Sequence, residues 1–260
     1  MTGACARCAV AALLALVPAL PAGAERLVAS LSSNVVQITS SFNGVELVLF
    51  GTVESDAANE PLRPSYDLVA TAVGPRQNLV TRRKERIAGI WVNAESRTFM
   101  DVPSYLAVLS TRPFENIADG ETLRRQQIGI ANTALPRPAG PDAANASPGD
   151  PFRQAFLRIK REHGLYSETA NGVTFLTPTL YRASIFVPAE AQVGSYQVDV
   201  KLFADGTMIA RADSTFEIVT VGFERFIASS AVDHGILYGF ATAAMAVMTG
   251  WFASIVFRRD

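Results

Sequence analysis

The sequence predicts a mainly β protein: an immunoglobulin-like β-sandwich with a helical insertion, followed by one C-terminal transmembrane α-helix. Three observations carry this reading. Short β-rich runs separated by Gly, Pro and Asn turn signals occupy the first half of the chain and return in its last part. The stretch 187–219 alternates in polarity, with Tyr196, Val198, Val200 and Leu202 on one face and an Asp205-Gly206 hairpin turn. The run 235–257 has 23 residues and no charge, enough to cross roughly 30 Å of hydrocarbon.

The N-terminal segment reads as a secretory signal peptide over residues 1–24. Arg7 is its only charge, 9–20 is a short apolar core, and Ala22-Gly23-Ala24 supplies the small residues of a cleavage site. Cleavage after Ala24 would make Glu25 the first mature residue, with an uncleaved anchor as the alternative. Both cysteines, Cys5 and Cys8, lie in this segment. The mature chain is then without thiols, which excludes disulfides, thiolate nucleophiles and cysteine metal sites. Setting Arg7 aside leaves 22 basic against 24 acidic residues, a balance that excludes a globally basic nucleic-acid binder.

In the body, 25–222, the runs 27–29, 35–39, 45–53, 68–73, 87–92 and 105–109 are strand candidates. Several are apolar on both faces, as expected where two sheets pack or a helix covers the outside. A helical and linker insertion follows over about 115–164. Its first part, 120–129, is polar and helix-compatible. Residues 131–150 hold four Pro, two Gly and six Ala and read as a linker. Asp150-Pro151 offers an N-cap and a first-turn proline to an amphipathic helix over 151–163, with Phe152, Phe156 and Ile159 at helical spacing. Strands resume at 173–176, 180–187, 195–203 and 207–219. A proline-led loop, a Gly-x-Tyr strand opening at 194–196 and a final hairpin are the pattern of the end of an immunoglobulin-like sandwich. One sandwich built from both halves is the expectation, with two small domains as the alternative.

The apolar run orients the protein. Arg258 and Arg259 follow it directly, so residues 258–260 are expected as a cytoplasmic tail and the body outside, in an inner-membrane location. Residues 223–234 form a juxtamembrane segment, where Phe223, Phe226 and Ile227 would share one helical face. On a helical wheel, Gly235, Gly239, Ala243, Ala246 and Gly250 fall on one arc of small side chains. Leu237, Phe240, Met248, Trp251 and Ile255 lie opposite. In lipid no hydrophobic force joins helices, so close backbone approach along such a face drives association. These five residues are the expected partner-binding face.

No catalytic motif is present. His163 and His234 are not in metal-ligand spacing, and no nucleophile elbow, phosphate loop or dinucleotide fingerprint occurs. The expectation is a protein without enzymatic activity, cofactor or metal. A hydrolase with paired carboxylates stays as an alternative, since two acids can meet in space from distant sequence positions.

The segment "VTRRKERIAGIWVN" (80–93) is the most unusual in the body. As a strand it puts Arg82, Lys84 and Arg86 on one face and Arg83 and Glu85 on the other. Charge on both faces excludes a buried strand, so it must project or lie on a sheet edge. Arg82, Arg83 and Arg86 are secondary candidates for contact with an anionic group, either lipid phosphate or acidic partner residues. Trp91, between Ile90 and Val92, is expected in the core.

This segment, with "VELVLFGTVE" before it and "YRASIFVPAEAQVGSYQVDVKLFADG" after it, resembles a family of single-span transmembrane proteins from alphaproteobacteria. The resemblance extends over almost the whole mature chain, including "GFERF" and the terminal helix. The family has no assigned biochemical activity. Its genes often neighbour permeases resembling sulfite or organosulfonate exporters. The resemblance therefore implies an accessory protein that binds a multi-span permease, and it supplies no catalytic residues. A homodimeric envelope sensor or scaffold, paired through the same helix face, is the main alternative.

Overall fold

The computed structural model describes residues 25–39, 41–54, 65–136, 147–222 and 230–256. The expected signal peptide, most of the juxtamembrane segment and the cytoplasmic tail lie outside the described residues. In chain order the strands are β1 (Arg26–Leu31), β2 (Val35–Ile38), β3 (Val45–Glu54), β4 (Asp67–Val73), β5 (Arg76–Ile87), β6 (Ile90–Pro103), β7 (Leu106–Ser110), β8 (Tyr166–Thr169), β9 (Val173–Phe175), β10 (Leu180–Val187), β11 (Gly194–Ala204) and β12 (Thr207–Thr220). The helices are α1 (Gly120–Arg125), α2 (Pro151–Glu162) and α3 (Gly235–Val256).

Two sheets face each other. The first has the order β1-β3-β10-β9 and the second β2-β12-β11-β4-β7-β8, so each takes strands from both halves of the sequence. Their inner faces alternate as the period-2 pattern requires. Leu47, Leu49 and Val53 of β3 meet Leu68, Ala70 and Ala72 of β4 and Val198, Val200 and Leu202 of β11 in one core. β11 opens as its Gly-x-Tyr pattern predicts. Tyr196 is fully buried, stacks on Phe216 at 4.8 Å and donates its hydroxyl to the Gln192 carbonyl at 2.7 Å. That bond back to the preceding loop is the tyrosine corner of immunoglobulin-like sandwiches. Asp205 (φ 49°) and Gly206 (φ 79°) make the predicted hairpin turn, both in the left-handed region that a type I′ turn needs.

The insertion has a definite seat, the outer face of the second sheet. Val69, Leu106, Val108 and Phe203 point out from that sheet and are covered by Leu123, Ile130, Leu135, Phe152 and Phe156. This second core explains why β4 and β7 are buried on both faces. Asp150 caps α2 by accepting from the Phe152 amide at 2.9 Å. Two expectations need correction here. Residues 131–136 are not a free linker: Leu135 is fully buried, and Arg153 donates to the carbonyls of Ala131 and Thr133 at 2.7 and 3.0 Å. Ile159 is exposed, whereas Lys160 turns inward on the apolar face, where its ammonium bonds the Ser104 carbonyl at 2.9 Å over the rings of Phe156 and Tyr166. A long aliphatic stem lets a lysine occupy such a position while its head finds an acceptor. Burial lowers its pKa.

Four buried tyrosines tie the body together, each donating its hydroxyl to a backbone carbonyl. Tyr105 bonds Phe186, Tyr166 bonds Pro103, Tyr181 bonds Val28 and Tyr196 bonds Gln192, at 2.7–2.9 Å. Desolvation raises the pKa of all four above the ordinary phenol value, that of Tyr196 to about 12. A folded pKa raised above the unfolded one makes the unfolded chain release protons first, so stability falls as pH rises past about 10. The expected result is a body unchanged up to that pH that then unfolds cooperatively, its phenolate absorbance rising with loss of the β circular-dichroism signal. Ionisation of more than the two remaining tyrosines before unfolding would show that these hydroxyls are solvated.

Candidate functional site

β5 and β6 pair only with each other, as a two-stranded ribbon outside the ladders of the two large sheets. Its base is anchored by Phe99 and Val102, both fully buried beneath α2. Its far half is exposed on both faces, as the charge pattern predicts. The turn is Ala88-Gly89, both with positive φ, which makes 87–92 the tip of a hairpin and not the continuous strand expected from its β-rich composition. Trp91 is correspondingly not a core residue: it is 66 % exposed, with Ile87 and Ile90 at 56 % and 68 %. The physical reason is the turn itself, which lies some ten residues beyond the last core contact at Phe99 and carries these side chains away from either sheet.

The register sorts the charges. Arg86 lies opposite Trp91 and Lys84 opposite Asn93; with Arg82 they share one face. On the other face Arg83 pairs with Glu85 at 2.5 Å and Glu95 at 3.3 Å. Of the three arginines expected to contact an anion, Arg83 is therefore already neutralised. Arg86 donates Nε to the Gly89 carbonyl at 3.3 Å and tightens the turn. Among the described residues Arg82 and Lys84 have no ion-pair partner. Lys84 thus joins Arg82 and Arg86 as a cation the sequence reading passed over.

A second concavity of about 350 Å³ lies on the outer face of the second sheet. Asp199 and Asp213 sit directly opposite each other there on β11 and β12, the juxtaposition a two-carboxylate hydrolase would require. Both, however, hold cations. Lys201 meets Asp199 at 2.6 Å, and Arg211 meets Asp199 at 2.7 Å and Asp213 at 3.2 Å. The Arg211 contact to Asp199 Oδ1 is an ion pair without good hydrogen-bond alignment. Charge on Asp199 raises the Arg211 pKa. Lys201 also reaches the Gln126 carbonyl at 3.3 Å, so the cluster ties the sheet to the insertion. His163 Nδ1 lies 2.7 Å from Glu190 at the exposed end of α2. No cluster of three metal-ligating side chains occurs among the described residues.

α3 is a regular helix of 22 residues with mean hydropathy 1.5, and none of its residues is buried. A helical turn over 230–233 precedes it, and Tyr238 bonds back to the His234 carbonyl. The hydroxyls of Thr242 and Thr249 bond carbonyls one turn earlier, at 2.8–3.0 Å, so neither is left unpaired in an apolar medium. Gly235, Gly239, Ala243, Ala246 and Gly250 all lie on this helix. A methyl group built on Gly235, Gly239 or Gly250 meets nothing within 4 Å, so among the described residues none covers these three positions.

No curated protein matches the chain. One family model, described as "Putative transmembrane protein", matches residues 26–259 and so takes in the sandwich, the hairpin and the apolar helix together. The chain belongs to this transmembrane-protein family.

Proposed function

We propose that the protein is a non-enzymatic accessory subunit of the cell envelope, held in the inner membrane by α3 with its body outside the cytoplasm, and that it binds a multi-span permease. The observation that carries this reading is the helix: among the described residues nothing packs over Gly235, Gly239 or Gly250, and no residue of the helix is buried. A bilayer-spanning helix of this kind gains stability when another helix packs closely along it. The cations at 258–259 favour a cytoplasmic C-terminus. The permease as partner class follows from the family resemblance.

The test is recovery of the intact chain from its native membrane in mild detergent, with its partners identified by mass spectrometry. A multi-span protein in near-equal molar amount is the expected result. Recovery of the chain alone would overturn the reading. So would crosslinking in cells that gave only twice the protomer mass, which would establish the homodimeric sensor or scaffold instead.

A further inference from the structure

We infer that the tip of the β5–β6 hairpin is a second membrane contact, which docks on anionic phospholipid and inserts Ile87, Ile90 and Trp91 among the headgroups. This rests on the anchored reading above and is independent of which helix pairs with α3.

Three observations point to lipid. The first is the order of chemistry along the arm. Aliphatic Ile87 and Ile90 flank the turn, Trp91 and Arg86 come next, opposite each other, and Lys84 and Arg82 follow at two-residue steps on the same face. Reading outward from a bilayer, hydrocarbon, an aromatic belt and anionic phosphate come in the same sequence. The second is charge. The acidic side chains of the distal arm, Glu85 and Glu95, are locked onto Arg83 on the opposite face, so the Trp91 face presents cations alone.

The third is placement. Val73, where β4 ends, is paired with Gln197 near the start of β11, and Gly194 is paired with Ile218 near the end of β12. The hairpin, beginning at Arg76, therefore leaves the second sheet at the same end as Thr220, where the chain departs toward α3. Residues 221–234 span at most about 50 Å when extended. The shorter strand of the arm, β5, has 12 residues and is about 40 Å long. Chain length thus permits the tip to reach the surface while α3 is in the bilayer. One tether alone would leave the body free to turn about its connection. A second foothold would fix which way the sandwich faces.

The experiment uses the full chain with Trp251→Phe, so that Trp91 is its only indole. It is placed in nanodiscs of phosphatidylcholine with or without phosphatidylglycerol, each also prepared with a spin-labelled lipid that quenches near the headgroups. The expected result is blue-shifted Trp91 emission quenched in anionic discs, with the effect reduced by high salt. Replacing Arg82, Lys84 and Arg86 together by Glu should abolish the difference in Trp91 quenching between anionic and zwitterionic discs, with the circular-dichroism spectrum unchanged. Solvated, unquenched Trp91 emission in both lipids would overturn the inference if Trp251 in a Trp91→Phe chain is still quenched from the acyl region. Shielding of Trp91 that appears only when a co-purified membrane protein is added would also overturn it, in favour of a protein contact. A chain not retained by the discs would instead refute the anchored reading itself.

Discussion

Gly51→Ala is expected to prevent folding of the sandwich. Gly51 lies mid-strand in β3, paired with Ala29 of β1 on one side and Tyr181 of β10 on the other. The Tyr181 ring lies across it to donate its hydroxyl to the Val28 carbonyl. A methyl group at Gly51 would sit 1.9 Å from that carbonyl oxygen and 2.5 Å from the Tyr181 hydroxyl. The ring could rotate away, but the carbonyl belongs to a paired strand, and β3 is held on both edges. Overpacking that cannot relax costs at or above the upper end of the usual range of about 1–3 kcal/mol, and here the Tyr181 hydrogen bond is lost as well. Against a total stability of about 5–15 kcal/mol, most of the folded population is at risk. The measurement is thermal unfolding in detergent beside Gly120→Ala. At Gly120, the first position of α1, a methyl meets nothing within 4 Å and alanine should be neutral or mildly stabilising. A Gly51→Ala protein melting within a few degrees of the parent would show that β1 and β3 yield more readily than this packing implies.

Gly51 also marks where sequence reading stops. β-rich composition marked 45–53 as a strand, and alternation told which face of β11 is buried, because both signals are local. Neither could tell that a tyrosine about 130 residues later crosses one position at van der Waals limit. The same division holds elsewhere. Asp150-Pro151, Asp205-Gly206 and Gly194-Ser195-Tyr196 carry their conformations in adjacent residues, and all three were legible. β8 was not, since "YSET" has a single buried side chain and owes its strand geometry to parallel pairing with β7. The hairpin tip was half legible. Charge on both faces excluded a buried strand, but Ile-Ala-Gly-Ile has no Asn or Asp before its glycine, and that is the usual hairpin signal. Without the turn, Ile90-Trp91-Val92 reads as a core strand, because apolar residues are assigned inward unless something shows the chain doubling back. The symmetry of "RIAGIW" about Ala88-Gly89 was the available clue.

Leucine at both Gly239 and Gly250 is expected to abolish recovery of the partner while the chain stays in the membrane. The two positions lie three turns apart on the small face of α3. Each leucine would stand between the helix and anything lying along it, holding the axes apart at two separated points. Dispersion forces decay over fractions of an ångström, so separation removes most of the contact along the span. A loss of about 1.4 kcal/mol lowers affinity tenfold, and two blocked points should exceed that. Leucine is more apolar than glycine and forms helix better, so insertion and helix content should hold or improve. The matched control is Leu237→Ala with Met248→Ala on the opposite face, where recovery should be unchanged. Equal recovery from both pairs of variants would remove the helix face as the contact. Among the described residues the hairpin tip would then be the next surface to test, because Ile87, Ile90 and Trp91 are exposed there beside Arg82 and Lys84.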